Sequence, residues 1–400
     1  MTSDDFFEQK REWSRWKHRL LHRYLSQFAG IVGSTHQTVY FIDGFAGEGR
    51  YKNPPEDGSP IIAANIAVQT PASRGYTLRC INIEPEHYEE LRAATATYRP
   101  SVVDNREGTF RDNLDDVLAT IGTHPALFFL DPMGHKGMEW DVVTRIIQRA
   151  RFAITEVLLN FYITRIDVHA GFLHSTAPGA AEFVKRLDAL FGTDEWRIIW
   201  DNTPVQDERM IRLSDLYMSR LQRAFAAVAP DAAGAVAARY PVRTLDGKLK
   251  YFVMYGTRHR RGGRAMSNAV FRVTMEYEDA KAAAKKTAIE ARGQLSFLPA
   301  ETLPSEQEID GSIVAELVPA ILNTVPHGVP LTLAEVEDLL LGAWFGRAVE
   351  KHYRRACVRL IEDKKAQLQK QKSAKSSGRI TIGEHDKVVI AQPSIEHGGG

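Results

Sequence analysis

The chain has 400 residues, a formal net charge of +1, 44% hydrophobic residues and 25% charged residues. These values are ordinary for a globular protein, so charge alone gives no reason to assign or exclude nucleic-acid binding. The length predicts one large domain and at least one smaller one. Cys80 and Cys357 are far apart and outside any metal-ligand spacing, so we expect neither a metal site nor a disulfide.

The charged N-terminal segment lacks the apolar core of a secretory signal. No stretch approaches the roughly 20 apolar residues that a membrane span needs. Two free thiols suit a reducing compartment. We therefore expect a cytoplasmic protein with no membrane partner.

The first part of the chain alternates between predicted helices and strands. Apolar residues at helical spacing predict an amphipathic helix over 5–29, and Ser59 is the predicted N-cap of a helix whose first residue is Pro60. Further helices are predicted at 85–98, 114–121 and 139–150, and strands at 38–42, 76–83, 126–130 and 153–161. This alternation predicts an α/β fold, a Rossmann-like sheet with helices on both faces.

The remainder of the first domain, assigned to 1–295, contains a helical insertion around 170–235. A β-hairpin turning at Asp246-Gly247 follows, and an exposed helix is expected at 278–293. Pro and Gly mark 296–311 as a linker. The second domain, 312–400, has predicted helices at about 312–323, 332–342 and 347–370, then a hairpin within 376–391. That order predicts a winged-helix-like domain.

Positive charge is concentrated near the C-terminus. Residues 347–387 contain twelve Lys or Arg and five Asp or Glu, a balance of +7. Basic side chains on a helix and wing suit phosphate contacts, although winged helices also dock proteins and lysine-rich helix ends are often merely solvated. With a second basic loop after the hairpin included, the candidate nucleic-acid contacts are Arg260, Arg261, Arg354, Arg355, Arg359, Lys364 and Lys365.

Three features predict a nucleotide site at the carboxyl ends of the strands. A glycine-rich turn follows the first strand, Glu84 ends the next one, and Asp131-Pro132 ends a later one. The turn comprises Asp43, Gly44, Phe45, Ala46, Gly47, Glu48 and Gly49. Glycine permits close approach of a ligand, and an acidic strand end can hold ribose hydroxyls. The alternative is a tight turn beside a solvated strand end. The absence of G-x-G-x-x-G and Walker sequences disfavours NAD and ATP.

These segments resemble the three-Cys-motif partner proteins. The resemblance covers roughly residues 10–275 and is carried by FIDGFAGEGRY, GSPIIAANIA, INIEPE, LFFLDPMG, EVLLNFYITR and YFVMYGT. That family is similar to class I S-adenosylmethionine-dependent methyltransferases. It is named for a companion with a three-cysteine motif that looks like a radical-S-adenosylmethionine enzyme. The resemblance implies a Rossmann-like sheet, S-adenosylmethionine as cofactor and a companion protein as partner.

The resemblance also implies roles for individual residues. The turn from Asp43 to Gly49 would surround the methionine part of the cofactor, Glu84 would hold the ribose, and Asp112 or Asn113 would lie by the adenine. The loop Arg50–Gly58 departs from many methyltransferases and would be a lid or an insertion.

Asp131 is the best catalytic candidate, as substrate orienter or base, and Asn160 is a candidate substrate contact. Asp131-Pro132 stands where amino-methylating enzymes of nucleic acids carry Asp/Asn-Pro-Pro-aromatic, but Met133 and Gly134 depart from that pattern. An aspartate that merely caps the following turn is the alternative for Asp131.

The leading hypothesis is an S-adenosylmethionine-dependent methyltransferase acting on DNA or RNA. The alternatives are an accessory partner of a three-cysteine-motif enzyme and a nucleotide-sensing DNA-binding effector. The altered sequence after Asp131 favours the alternatives, whereas the complete glycine turn with Glu84 favours cofactor binding.

Overall fold

The computed structural model describes residues 3–392, apart from 53–54, 71–73, 133, 135–136, 151, 230–233, 245–246, 292–304 and 371–379. The chain divides into two compact units, Met1–Met266 and Ser267–Gly400. The first unit holds a seven-stranded sheet, and the second holds a small antiparallel sheet.

The sheet of the first unit has the strand order β5-β4-β1-β6-β7-β9-β8. Its strands are β1 (Thr38–Asp43), β4 (Thr77–Glu84), β5 (Val103–Glu107), β6 (Ala126–Leu130), β7 (Thr155–Phe161), β8 (Val236–Arg243) and β9 (Leu249–Thr257). Strands from β5 through β7 run parallel, and β9 is antiparallel to both its neighbours. A separate short hairpin pairs β2 (Arg50–Lys52) with β3 (Pro55–Asp57).

Helices cover this sheet. They are α1 (Ser3–Gly33), α2 (Ser59–Gln69), α3 (Tyr88–Thr95), α4 (Phe110–Ile121), α5 (Trp140–Gln148), α6 (Ile163–Ala170), α7 (Ala180–Phe191), α8 (Glu195–Asn202), α9 (Gln206–Val228) and the start of α10 (Arg260–Ala291). The predicted α/β class is confirmed. Every residue of β6 and β7 is buried, as expected of parallel strands covered on both faces. The cap of α2 is Gly58 and not Ser59, which is the first residue of the helix.

The path of the chain through the sheet determines where a ligand can bind. After β1 the chain builds β4 and β5 on one side, then returns to place β6 on the other side of β1. The crossovers before and after this reversal diverge, which leaves a crevice at the carboxyl ends of β1 and β6. Asp43 ends β1 and Asp131 follows β6, so both predicted site residues lie at this point.

Besides the part of α10 from Ser267 onward, the described residues of the second unit form three helices and a three-stranded antiparallel sheet in the order β10-β12-β11. Its elements are α11 (Glu306–Thr324), β10 (Pro330–Thr332), α12 (Leu333–Trp344), α13 (Glu350–Glu362), β11 (Ala366–Gln369) and β12 (Lys387–Ile390). The predicted helix over 347–370 is wrong over its last eight residues, because α13 ends at Glu362. Lys364 takes a φ of 59°, which ends the helical path and turns the chain into β11. The hairpin therefore pairs β11 with β12 and is not confined to 376–391.

The two compact units meet within α10, between Met266 and Ser267. The predicted linker at 296–311 lies mostly outside the described residues and stays a prediction. Residues of α10 from Ser267 onward pack within the second unit. The Gly346 amide donates to the Ser267 hydroxyl over 3.0 Å, and the Phe271 ring lies 5.2 Å from the His352 ring.

Candidate functional site

Backbone hydrogen bonds fix the turn that follows β1. The Gly44 amide donates to the Phe129 carbonyl of β6 over 3.0 Å, and the Ala46 amide donates to the Ile83 carbonyl of β4 over 3.1 Å. The turn is thereby joined to the strands on both sides of β1. Its position is set by the sheet itself, which makes it a rigid floor for the crevice.

Glu84 connects this turn to the end of β4. One carboxylate oxygen accepts the Gly47 amide at 2.8 Å, and the other accepts the amides of Glu86 at 2.9 Å and His87 at 3.0 Å. The side chain is buried. The residue predicted to hold ribose thus uses its oxygens to hold two loops together, and ribose binding by Glu84 stays a prediction.

Two glycines of the turn have different surroundings. A Cβ at Gly44 would lie 2.9 Å from the Leu130 side chain and 3.2 Å from Phe110, so no larger residue fits without displacement of the core. Gly47 has a φ of +61°, and a Cβ there would have no heavy atom within 4 Å. The backbone at Gly47 therefore borders open space at the crevice, where a ligand can approach closely.

Asp43 is a fully buried carboxyl at the centre of the site. Its Oδ1 accepts the Phe45 amide over 3.1 Å. Burial raises the pKa of Asp43 to about 7, against the lowering effect of hydrogen bonds from Ser59 and the Phe45 amide. The nearby carboxylates of Asp131 and Glu84 raise it further. This acid therefore changes charge near neutral pH.

The residues predicted near adenine shape the loop that enters α4. Thr109 caps that helix by accepting the Asp112 amide over 3.2 Å, and its hydroxyl donates to the Asp112 carboxylate over 2.6 Å. The side-chain amide of Asn113 donates to the backbone carbonyls of Glu107 and Thr109. Asp112 is exposed and Asn113 is half-buried. Their adenine contact stays a prediction.

Asp131 forms a cluster with two residues for which the sequence analysis gave no such role. Its carboxylate accepts hydrogen bonds from the Lys17 ammonium and, over 3.3 Å, from the Tyr162 hydroxyl. Lys17 and Tyr162 are themselves 3.4 Å apart. Only 13% of the Lys17 side chain and 17% of the Asp131 side chain are exposed. Asp131 is therefore held by an ion pair. The alternative role, an aspartate that only caps the turn after β6, would not require such a partner.

The surroundings of Lys17 keep it charged. Burial acts to lower its pKa, but the Asp131 carboxylate, with Tyr162 and Tyr251, raises the pKa of Lys17 well above its usual value. A signal in the sequence could have revealed this residue. Lys17 lies three positions before Leu20 and one after Trp16, within the apolar stripe of α1, where a lysine needs a partner.

Asn160 lies beside Asp131 at the end of the neighbouring strand β7 and is 1% exposed. Its amide Nδ2 donates to no described residue, and the Oδ1 of Asn82 on β4 likewise accepts from none of them. Buried polar atoms are normally paired, so such atoms at the carboxyl edge require an explanation. A polar ligand in the crevice is one.

The loop Arg50–Gly58 is the β2–β3 hairpin. The Gly58 amide donates to the Gly49 carbonyl over 2.8 Å and closes its base. A Cβ at Gly58 would lie 2.7 Å from that same carbonyl oxygen, so glycine is required there. Arg15 of α1 donates to Glu56 over 2.7 Å. The hairpin is tied to α1, the helix that carries Lys17.

The predicted nucleic-acid contacts differ in their surroundings. Arg355 pairs with the buried Asp310 over 2.7 Å, and Arg354 pairs with Glu350 and the Ile382 carbonyl. Exposed positions in the second unit are held by Arg359, Lys364 and Lys365. In the first unit, Arg260 and Arg261 begin α10 and line a cavity that lies away from the crevice. The basic loop predicted there is in fact the start of a helix.

Comparison with known proteins gives little guidance on this site. No family profile matches the chain, and no curated protein matches it. Among solved structures, it is similar to an O-methyltransferase from Bacillus cereus in complex with SAH, with a TM-score of 0.29 and 15% sequence identity. That match covers 59% of this chain and 80% of the other. This structural similarity is too weak to indicate a function. It also gives no support to the resemblance to the three-Cys-motif partner proteins.

No helix in the described ranges has the length and apolarity to cross a membrane. Within the same ranges, no three His, Cys, Asp or Glu side chains are grouped so as to hold a metal ion. Both cysteines are buried free thiols.

The buried Asp43 predicts a pH dependence of stability. Because its pKa rises from 3.8 unfolded to about 7 folded, the folded state holds a proton that the unfolded state releases between these values. This contribution to stability is present at low pH and is lost as the pH rises toward 7. Between pH 4 and pH 8, the unfolding free energy of Asp43→Asn should therefore rise relative to that of the unsubstituted protein by on the order of 2–4 kcal/mol. Urea unfolding without ligand measures it, and a difference that is constant with pH would contradict it.

The Lys17–Asp131 pair predicts strong coupling. Lys17→Met or Asp131→Leu alone leaves a mostly buried charge without its partner and should cost about 2 kcal/mol of unfolding free energy. The double substitution removes both charges and should cost less than the sum of the two by at least about 1 kcal/mol. Denaturant unfolding of the four proteins gives the coupling, and additive costs would show that the ion pair does not form.

Proposed function

We propose that the chain is an S-adenosylmethionine-dependent methyltransferase. The observation that carries the proposal is the Gly47 turn. It is fixed to both neighbouring strands, is held by Glu84, and borders open space at the point where the strand order reverses. A ligand can approach this part of the backbone closely, beside the buried carboxyl groups of Asp43 and Glu84, which suits a small polar cofactor.

The residues at the crevice fit this cofactor. The Gly47 backbone would lie against its methionine part, where a Cβ would meet no heavy atom within 4 Å. When bound, the sulfonium supplies an activated methyl group. The protein then has to align the acceptor and exclude water. Asp131 and Asn160, adjacent at the ends of β6 and β7, would contact the acceptor.

Lys17 and Tyr162 give Asp131 a defined position at the edge of the crevice. Both donate to its carboxylate, which holds the oxygens in place and leaves a lone pair for an N–H or O–H of the acceptor. We infer that Asp131 orients the acceptor, with Lys17 and Tyr162 as positioning residues.

We further propose that the acceptor is nucleic acid, held in part by the second unit. The proposal is supported by the order helix, strand, two helices and two strands, which matches the order expected of a winged helix, and by exposed basic residues in and just after α13. Arg359, Lys364 and Lys365 would contact phosphates. The ion pairs of Arg354 and Arg355 favour structural roles for those two residues.

Cofactor binding can be tested at Gly47 with a matched control. Gly75 also has a positive φ and open space around a Cβ, but it precedes β4 at the opposite edge of the sheet. Asparagine tolerates this backbone region, so Gly47→Asn and Gly75→Asn should each destabilise the fold by about 1 kcal/mol. Calorimetric titration with S-adenosylmethionine should show micromolar binding that Gly47→Asn weakens at least about tenfold, or roughly 1.4 kcal/mol.

Gly75→Asn should bind the cofactor as the unsubstituted protein does. If neither the cofactor nor its demethylated product binds the folded protein, the proposed activity is excluded. Equal losses in both variants would trace the effect to backbone strain instead of the crevice.

Nucleic-acid binding can be tested by neutralising the exposed basic residues of the second unit. The triple variant Arg359→Gln, Lys364→Gln and Lys365→Gln should weaken duplex binding. The slope of log K against log salt should also become less negative by about one for each phosphate that the variant no longer neutralises. Fluorescence anisotropy over a salt series measures both.

The control neutralises three exposed basic residues on α7 and α9, namely Lys185, Arg186 and Arg212. It changes the net charge equally and should leave the slope as it was. Equal effects of the two triple variants would assign the binding to net charge alone.

A further inference from the structure

A cavity of about 430 Å³ lies at the edge of the sheet opposite the crevice. It is bordered by the second half of α1, by Ile154 and Glu156 at the start of β7, and by the first turns of α10. Its volume falls within the range of small-molecule sites, about 300–1,000 Å³. Because β7 is parallel to β1 and β6, its amino end faces away from the crevice, so the two sites are separate.

The wall of the cavity is apolar. Phe28, Ile31 and Val32 from α1 face Ile154 and Ala265 across it. Ile31 lines the cavity and its side chain is 51% exposed. A ligand that enters would cover this surface, so apolar contact favours an occupant with an apolar body.

The inner end of the cavity is polar but already satisfied. The Glu156 carboxylate accepts the Tyr24 hydroxyl over 2.5 Å and the Thr257 hydroxyl over 3.3 Å, and the two phenols of Tyr24 and Tyr255 lie 2.7 Å apart. A ligand therefore need not supply a hydrogen bond there. Burial also raises the pKa of Glu156 to about 7, which reduces repulsion of an anion near neutral pH.

The rim of the cavity carries positively charged residues. Arg260 and Arg261 line the cavity at the N-terminal end of α10, where the helix dipole is positive. Arg258 is buried beneath them, and its guanidinium donates to the carbonyls of Ile147 and Ala150, so its charge stays in place. Cationic groups at the mouth of an apolar cavity favour a ligand with a negative end.

We propose that this cavity binds a small amphipathic anion, with its apolar body against α1 and its charged group at the arginines of α10. The site is independent of the proposed methyltransferase activity. It also gives Arg260 and Arg261 a role other than the nucleic-acid contact that their sequence suggested.

The test uses three fluorescent probes with one aromatic body and different charge: naphthoate, naphthylmethanol and naphthylmethylammonium. Naphthoate should bind the full-length protein at least about tenfold more tightly than the alcohol, and the ammonium more weakly still. Ala265→Leu keeps helix propensity and fills the cavity, so it should weaken naphthoate binding at least about tenfold without lowering the unfolding temperature. The control Ala181→Leu, at an exposed position of α7, should change nothing.

Arg261→Glu, at an exposed position, tests the rim without disturbing the core. It should weaken naphthoate binding and leave the alcohol unaffected. Equal affinity for the three probes would overturn the charge assignment. No binding of any probe, or naphthoate binding that Ala265→Leu and Arg261→Glu leave intact, would overturn the site. Cofactor affinity at the crevice should be the same in all these variants, which separates this test from that of the proposed function.

Discussion

The carboxylate of Glu84 is the constraint on which the candidate site depends. It accepts three backbone amides from two separate loops, the turn after β1 and the turn after β4. Charge-assisted hydrogen bonds of this kind are roughly twice as strong as neutral ones. The Gly47 turn therefore cannot move without breaking contacts to β4, and its open face is already formed. If the Glu84 carboxylate accepted fewer hydrogen bonds, the Gly47 turn would be less ordered before a ligand binds. The ligand would then have to order it, at an entropic cost.

Helix α1 provides a second level of organisation. Lys17 reaches Asp131 at the carboxyl edge of the sheet, and Tyr24 reaches Glu156 at the amino edge. The two residues are seven positions apart, which is two turns or about 10 Å along the helix. One helix thus provides a partner to a buried acid at each edge. Because both acids face α1, its apolar stripe has to carry polar groups, and this same helix borders the crevice and the proposed anion cavity.

The elements that could be predicted from the sequence are those with a strong local pattern of apolar residues. The buried strands β6 and β7 were predicted because their residues are nearly all apolar, and the acidic strand ends were placed correctly by topology alone. Strand β5 was not predicted because four of its five residues are polar and only Val103 is buried at this edge position. The Lys17–Asp131 contact joins residues 114 positions apart, and no local pattern specifies a partner at that distance.

Several arginines are held by contacts within the fold, and the reason is physical. A guanidinium has five donors in a fixed plane, so it can hold carbonyls inside a fold as readily as phosphates outside it. Arg258, two residues before Arg260, is 1% exposed and donates to the carbonyls that end α5. The Arg355 side chain is 56% exposed and donates to the buried carboxylate of Asp310. A count of basic residues therefore overstates the charge available to a nucleic acid. Only the exposed residues, chiefly Arg359, Lys364 and Lys365, bear on that proposal.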